Sequence, residues 1–221
     1  MQIIGCIFDL DGVIVDTAKY HYLAWKTLAN QIGIEFSEKD NERLKGVSRM
    51  ESLEIMLEIG NVKLSNEKKN EYATMKNKWY VDYINKMTPD EILPGSVEFI
   101  TELRNAGILV AIGSASKNTP LILKKVGIGR MFDAVADGNI VSKAKPDPEV
   151  FIKASDLLGV KPENCIVFED AIAGVKAAIN AGMKCIGIGS QNILAEAHYV
   201  IPGLNEMSLS KLLTIEKDFL I

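Results

Sequence analysis

The chain has 221 residues, of which 48% are hydrophobic and 24% charged, and its formal net charge is -4. This composition is typical of a globular protein with a substantial core and excludes an intrinsically disordered chain. The slight acidic excess argues against a general nucleic-acid binder, while a local basic pocket for a small phosphorylated molecule remains compatible with it.

Short apolar runs alternate with helical patterns along most of the chain. The predicted strands cover residues 3–8, 109–113, 134–136, 165–168 and 184–188, and the predicted helices cover residues 96–106, 119–126, 149–158 and 174–181. This alternation predicts an α/β fold, a doubly wound, Rossmann-like parallel sheet with helices on both faces. Ligands of such sheets bind outside the carboxyl ends of the strands, so the residues that follow each strand are the first candidates for a site.

Residues 17–87 follow a different pattern. They contain amphipathic helical patterns, such as those at 22–32 and 48–58, and no convincing strand. We therefore expect a helical cap domain at 17–87, inserted after the first strand of an α/β core domain formed by 1–16 and 88–221. Four lysines in this segment are interleaved with Glu and Asn and are predicted to form mostly a solvated helix face: Lys68, Lys69, Lys76 and Lys78.

Two carboxylates, Asp9 and Asp11, come directly after the first predicted strand. Side chains two residues apart in an extended segment point to the same side, so both carboxylates are expected in one small site. Such a pair either binds a cation or keeps one member protonated. Both arrangements suit phosphoryl transfer, in which one carboxylate attacks phosphorus and the other moves protons. A solvated turn or a helix N-cap is an equally good interpretation of this spacing alone.

Three further polar signals follow predicted strands. Ser114 opens the segment 114–118, whose hydroxyl and backbone N–H groups suit phosphate oxygens near a helix start. Lys145 precedes prolines that restrict its backbone. Glu169 and Asp170 place hard oxygen ligands after another strand. A capping turn, a surface lysine and an N-cap at Asp170 are the alternatives.

These four signals, in this order and each after a strand, resemble the haloacid dehalogenase superfamily of phosphotransferases. The resemblance covers essentially the whole chain and includes a helical cap after the first motif. It implies that Asp9 is the phosphorylated nucleophile and Asp11 the general acid/base. It also implies that Ser114 and Lys145 hold phosphate, and that Mg²⁺ is bound by Asp9, the Asp11 carbonyl, and Glu169 or Asp170. Ala171 stands where a serine is frequent in the superfamily.

The cap segments 16–21, 25–26 and 45–52, together with 114–118, resemble the β-phosphoglucomutase family within that superfamily. The resemblance implies that Arg49 binds the phosphate that is not transferred. It also implies that His21 hydrogen-bonds to the surroundings of Asp11 and couples substrate binding to closure. A capping or packing histidine is the alternative for His21. The remaining residues expected to line the substrate are Trp25, Lys45, Gly46, Ser52, Ala115, Ser116 and Asn118.

The implied reaction converts β-glucose 1-phosphate into glucose 6-phosphate through phospho-Asp9 and β-glucose 1,6-bisphosphate. Two other functions compete with it: a sugar-phosphate phosphatase, in which Asp11 activates water, and a catalytically inactive phosphate-binding module. Use of ATP or NAD is disfavoured, because there is no Walker A motif and 187–189 lacks the third glycine of a dinucleotide fingerprint.

The three cysteines, Cys6, Cys165 and Cys185, lie in apolar runs without a Cys-x-x-Cys pair, which predicts buried free thiols. The first residues lack the basic flank of a signal peptide, and no stretch of about 18 apolar residues follows. We therefore expect a cytoplasmic protein without membrane or nucleic-acid partners, and the resemblance implies a monomer. His198 and the segment after Tyr199 match no motif.

Overall fold

The computed structural model describes residues 3–218, which contain six strands and nine α-helices. The strands are β1 (Gly5–Phe8), β2 (Leu109–Gly113), β3 (Ala134–Ala136), β4 (Cys165–Glu169), β5 (Lys184–Ile188) and β6 (Tyr199–Ile201). The helices are α1 (Ala18–Gln31), α2 (Glu38–Glu42), α3 (Arg49–Ile59), α4 (Asn66–Ile84), α5 (Ser96–Asn105), α6 (Thr119–Val126), α7 (Glu149–Leu158), α8 (Ile172–Asn180) and α9 (Leu209–Asp218).

All six strands form one parallel sheet in the order β3-β2-β1-β4-β5-β6, so the predicted fold class is confirmed. Phe8 at the end of β1 pairs with Ile112 of β2 and with Phe168 of β4. The residues that follow these three positions therefore emerge at one edge of the sheet. The edge strand β6 and helix α9 were not predicted. The three residues of β6 are not an apolar run that ends in a motif, and the strand is defined by its pairing with β5.

The sheet is buried on both faces. On one face Phe8 stacks on Phe168 with ring centroids 4.7 Å apart, and Phe99 of α5 meets both rings edge-on. On the other face Ile7 and Phe151 belong to a second apolar cluster. Each fully buried side chain of this kind stabilises the fold by about 1.5 to 3 kcal/mol, which makes the sheet a rigid support for the residues at its edge. The three cysteines are buried and free, as predicted.

Residues 17–87 contain α1 to α4 and no strand, and these helices bury an apolar cluster of their own around Trp25, Leu28, Leu53 and Met56. Serine caps begin three of these helices: the side chains of Ser37, Ser48 and Ser65 each accept a hydrogen bond from a backbone N–H in the first turn. The division into cap and core at residues 17 and 88 stays a prediction, and its residues 1–2 and 219–221 lie outside the described part of the chain.

The two segments that join these helices to the sheet run side by side. The N–H of Asp16 donates to the Glu91 carbonyl at 2.8 Å, and the N–H of Leu93 donates to the Ile14 carbonyl at 2.9 Å. The Tyr20 hydroxyl also donates to Oε1 of Glu91 at 2.7 Å. The entry and exit of the helical segment are thus tied together beside the carboxyl edge of the sheet. Within residues 3–218, no helix is long and apolar enough to cross a membrane.

Candidate active site

The sheet places Asp9 and Ser114 directly after the ends of two neighbouring strands, β1 and β2. The N–H of Asp9 donates to the carbonyl of Phe168 at 2.9 Å, and the N–H of Ser114 donates to the carbonyl of Ala136 at 3.0 Å. Each therefore continues the hydrogen-bond ladder one residue beyond its strand. Asp9 and Ser114 are both buried, so the solvated-turn alternative for Asp9 is wrong.

Lys145 lies under the site and makes two ion pairs. Its Nζ is 2.5 Å from Oδ1 of Asp9 and 2.8 Å from Oε2 of Glu169, and it lies 4.7 Å from the centroid of the Phe151 ring. Burial by itself would lower the pKa of Lys145, but the two carboxylates raise it above its ordinary value. The side chain is only 1% exposed, so the surface-lysine alternative is wrong, and the raised pKa favours the charged ammonium beside Asp9.

Three carboxylates could hold a metal ion. Asp9, Glu169 and Asp170 each offer an oxygen, and these oxygens lie within 4.8 Å of one another. Burial, followed by the charge of neighbouring carboxylates, raises the pKa of Asp170 to about 7. Burial also raises the pKa of Glu169, to about 8, even though Lys145 lowers it. Ionising these three carboxylates together is costly because their negative charges repel one another. A divalent cation such as Mg²⁺ would offset that repulsion, and it prefers oxygen ligands of this kind.

Two glycines provide the space that the carboxylates of Glu169 and Asp170 occupy. A Cβ atom at Gly12, where φ is +86°, would lie 2.3 Å from Oδ2 of Asp170. A Cβ atom at Gly174 would lie 2.0 Å from Oε2 of Glu169. Helix α8 is N-capped by Ala171 without a side-chain hydrogen bond, so the N-cap alternative for Asp170 is wrong.

Asp11 lies in a different environment from Asp9, on the side of the helical segment. Its Oδ1 accepts a hydrogen bond from the Thr17 hydroxyl, lies 3.5 Å from the Tyr80 hydroxyl and 3.9 Å from Nε2 of His21. Burial and the charge of Asp9 raise the pKa of Asp11 to about 6, although the Thr17 hydrogen bond lowers it. A carboxyl group with a pKa near neutrality can both accept and return a proton, as general acid/base catalysis requires.

His21 stands between Asp11 and a buried lysine. Its Nδ1 lies 3.0 Å from Nζ of Lys76, and its ring lies 4.1 Å from the ring of Tyr80. Burial, followed by the charges of Lys76 and Arg49, lowers the pKa of His21 well below its ordinary value. Nδ1 of His21 is thus paired with the Lys76 amino group, and Nε2 is the ring nitrogen on the side of Asp11. His21 thus has a polar role beyond helix capping.

Lys76 is the main correction to the sequence analysis. It was predicted with its neighbours as part of a solvated helix face, but it is 2% exposed and its Nζ lies 4.6 Å and 4.8 Å from the ring centroids of Trp25 and Tyr80. Burial, followed by the charge of Arg49, lowers the pKa of Lys76 to about 7. The wrong assignment arose because Lys76 occupies the inward face of α4, with Ala73, Tyr80 and Ile84.

A cavity of about 430 Å³ separates the helical segment from the carboxyl edge of the sheet. The predicted residues that line it are Asp9, Asp11, His21, Trp25, Lys45, Gly46, Arg49, Ser52, Ala115, Ser116, Asn118 and Asp170. Three other predicted residues, Ser114, Lys145 and Glu169, are buried and do not line it. Sequence reasoning missed Lys76, Asn77, Tyr80 and Lys117, which also line the cavity. For Lys76 the sequence does contain a signal: it lies at the helical spacing of the otherwise apolar residues Ala73, Tyr80 and Ile84, which indicates an inward-facing position.

Comparisons with known proteins agree with this geometry. Residues 4–182 match the family model described as haloacid dehalogenase-like hydrolase. The chain is 43% identical over 208 residues to a β-phosphoglucomutase of Bacillus subtilis, covering 93% of this chain and 92% of that protein. It is also 30% identical over 187 residues to a phosphorylated carbohydrates phosphatase of Thermotoga maritima, covering 81% and 82% of the two chains.

A crystal structure of β-phosphoglucomutase from Clostridium difficile superposes on this chain with a TM-score of 0.94, at 41% sequence identity and with 99% of each chain covered. The similarity therefore extends over the sheet, the inserted helices and the cavity between them. The chain belongs to the haloacid dehalogenase-like hydrolases and, within them, to the β-phosphoglucomutase family.

Proposed function

We propose that the chain interconverts β-glucose 1-phosphate and glucose 6-phosphate, with Asp9 as the phosphorylated residue. The observation that carries this proposal is the distribution of charge around the cavity. Its floor holds Asp9, with Lys145 buried beneath it, and its roof, formed by the helical segment, holds three basic side chains, Lys45, Arg49 and Lys76. A sugar bisphosphate needs such a two-ended site, because one phosphate is transferred at the floor while the other is bound at the roof.

In the first half-reaction the 6-hydroxyl oxygen of β-glucose 1-phosphate attacks the phosphorus of phospho-Asp9. The new O–P bond forms as the bond between phosphorus and the Asp9 carboxylate breaks, and Asp11 accepts the hydroxyl proton. The product is β-glucose 1,6-bisphosphate. The position of Asp11, held by Thr17 on the cavity wall, supports this proton transfer.

In the second half-reaction the bisphosphate is turned end for end in the cavity. The Asp9 carboxylate attacks the phosphorus of the 1-phosphate, the bond from phosphorus to the C1 oxygen breaks, and Asp11 returns its proton to that oxygen. Glucose 6-phosphate leaves, and phospho-Asp9 is regenerated. The roof must then accept either phosphate of the bisphosphate, which the planar guanidinium of Arg49 can do.

Mg²⁺ fits the oxygen donors of Asp9, Glu169 and Asp170 and would neutralise negative charge on the transferring phosphoryl group. The family resemblance adds the Asp11 carbonyl to these ligands. Lys145, which lies within hydrogen-bonding distance of Asp9, supplies a further positive charge from the protein itself. Its charge offsets the repulsion between an anionic phosphate and the attacking carboxylate.

A sugar-phosphate phosphatase is the second candidate, and the similarity to the Thermotoga maritima phosphatase favours it. It would use the same Asp9 chemistry with water in place of the sugar hydroxyl. The degree to which water reaches phospho-Asp9 separates the two functions. We also propose that the enzyme acts as a monomer and that this sugar-phosphate chemistry takes place in the cytoplasm.

The test follows glucose 6-phosphate and inorganic phosphate in parallel, from β-glucose 1-phosphate with Mg²⁺ and a trace of β-glucose 1,6-bisphosphate. The wild type, Asp9→Asn and the control Asp82→Asn, an exposed aspartate of α4, are compared. We expect the isomer in large excess over phosphate, its loss in Asp9→Asn, and an unchanged rate in Asp82→Asn. Rapid phosphate release with little isomer would instead identify a phosphatase.

A further inference from the structure

Lys45 joins the helical segment to the acidic cluster. Its Nζ lies 3.6 Å from Oδ2 of Asp170, across the cavity, and 3.1 Å from Oε2 of Glu42 in its own helical segment. The side chain of Lys45 is 27% exposed and that of Asp170 only 12% exposed. The contact therefore lies at the edge of the cavity, where it is shielded from solvent on the side of Asp170.

The backbone next to Lys45 is seated closely on the core. Gly46 has a φ of +73°, and a Cβ atom built there would lie 3.0 Å from the Cβ atom of Ala171. Residue pairs 45–170 and 46–171 thus form one patch of contact, at which the loop 43–48 meets the N-terminus of α8. The Lys45 ammonium is therefore presented to Asp170 by a loop that is itself seated on the core.

The same carboxylate also belongs to the proposed metal site. Asp170 offers an oxygen to the cluster with Asp9 and Glu169, whose oxygens lie within 4.8 Å of one another. A divalent cation bound there would lie close to the Lys45 ammonium, and two positive charges at this separation repel each other. A phosphoryl group entering the cavity would add negative charge between them and remove that repulsion.

We propose that Lys45 competes with the divalent cation for Asp170, so that metal binding loosens the loop 43–48 from the core and a bound phosphoryl group restores the contact. The inference rests on the metal site of the proposed function and adds a coupling between that site and the helical segment. Because such coupling is reciprocal, a loop held against the core also weakens metal binding. The metal alone therefore prepares an open cavity, and the metal with phosphate closes it.

The test measures Mn²⁺ binding at pH 8 from the electron paramagnetic resonance signal of the free ion, without sugar phosphate. Lys45→Met removes the competing charge, and we expect it to bind Mn²⁺ about 5- to 10-fold more tightly than the wild type, within the usual range of coupling between sites. Lys45→Arg keeps the charge and should stay near the wild-type affinity. Lys39→Met, an exposed lysine of α2, is the matched control and should not change it.

Hydrogen–deuterium exchange of the backbone amides of residues 43–48 provides a second readout. Adding Mn²⁺ should speed exchange in the wild type and in Lys39→Met but not in Lys45→Met, and adding inorganic phosphate with the metal should slow it again. Equal or weaker Mn²⁺ binding by Lys45→Met would overturn the inference. If the wild type binds no Mn²⁺, the metal site itself is wrong, whereas the glucose 6-phosphate assay tests the mutase reaction separately.

Discussion

Nζ of Lys76 lies 3.0 Å from Nδ1 of His21, and this contact joins the long helix α4 to the surroundings of Asp11. The lysine is nearly inaccessible to solvent, and no carboxylate lies within ion-pairing distance of it among residues 3–218. Burying a cation without an ionic partner is costly for folding, which points to a functional reason for Lys76. We propose that the anionic phosphate of a substrate supplies the opposite charge.

The first prediction concerns the stability of Lys76→Met. Burial lowers the pKa of Lys76 from 10.5 to about 7, so the folded state disfavours the charged form. Replacing it with a similar apolar side chain should raise the free energy of unfolding by about 1 to 3 kcal/mol at pH 6, by analogy with other buried charges replaced in this way. Urea denaturation followed by circular dichroism measures this gain.

The sign of the pH dependence follows from the same pKa. Between pH 7 and 10.5 the unfolded chain binds more protons at Lys76 than the folded chain does, so the wild type gains stability as the pH rises. The advantage of Lys76→Met should therefore shrink from pH 6 to pH 9. Lys78→Met, an exposed lysine of the same helix, should leave stability unchanged at both values. A destabilised Lys76→Met at pH 6 would contradict this account.

The second prediction concerns substrate binding above neutral pH. Lys76 attracts a phosphate only when it is protonated. It is surrounded by the uncharged rings of His21, Trp25 and Tyr80, by the positive charge of Arg49 and by the negative charge of Asp11. With a pKa of about 7 in the free enzyme, KM for β-glucose 1-phosphate should rise from pH 7 to pH 9 while kcat changes less. Lys76→Arg, which stays charged, should flatten the profile. An unchanged slope in that variant would assign the titration to another group.

The third prediction concerns the phosphate that stays at the roof of the cavity. Arg49 lines the cavity, and burial lowers the pKa of its guanidinium. Arg49→Lys replaces a planar fork by a single ammonium, so KM should rise about 10-fold or more, with a smaller effect on kcat. Steady-state kinetics with β-glucose 1-phosphate measure both constants. Arg43→Lys, at an exposed ion pair with Glu58, is the control. A fall in kcat at constant KM would mean that Arg49 acts on the transition state alone.

The fourth prediction concerns the space beside Glu169. An added Cβ atom at Gly174 would lie 2.0 Å from Oε2 of Glu169, so Gly174→Ala must displace that carboxylate. We expect about a 10-fold or greater loss of Mn²⁺ affinity, since displaced metal ligands and their supports have effects of this size. The overpacked site should also lose about 1 to 3 kcal/mol of stability.

Gly129→Ala is the matched control for Gly174→Ala. An added Cβ atom at Gly129 would meet only the Cβ atom of Leu123, at an ordinary contact distance of 3.7 Å. Metal titration and urea denaturation should therefore give wild-type values for this variant. Wild-type metal affinity in Gly174→Ala would show that Glu169 is free to move without loss of the site.

The order of the polar motifs along the chain was sufficient to predict that the candidate active site lies at the carboxyl edge of the sheet. Apolar runs ending in Asp9, Ser114 and Glu169 identify parallel strands, and parallel strands bring those ends to one edge. The sequence also separated the helical segment 17–87 from the alternating region, because its apolar residues recur with a period near 3.6 and not 2. These features depend on local patterns and can be recognised without coordinates.

The tertiary structure alone decided which charged side chains are buried. Lys76 and Lys78 look alike in sequence, yet the rotation of α4 against α1 turns Lys76 toward His21 and leaves Lys78 in solvent. Lys145 likewise meets Asp9 and Glu169 only because the loop after β3 folds under the sheet edge. The pKa of each group depends on burial and on charges far away along the chain, and a one-dimensional pattern carries neither.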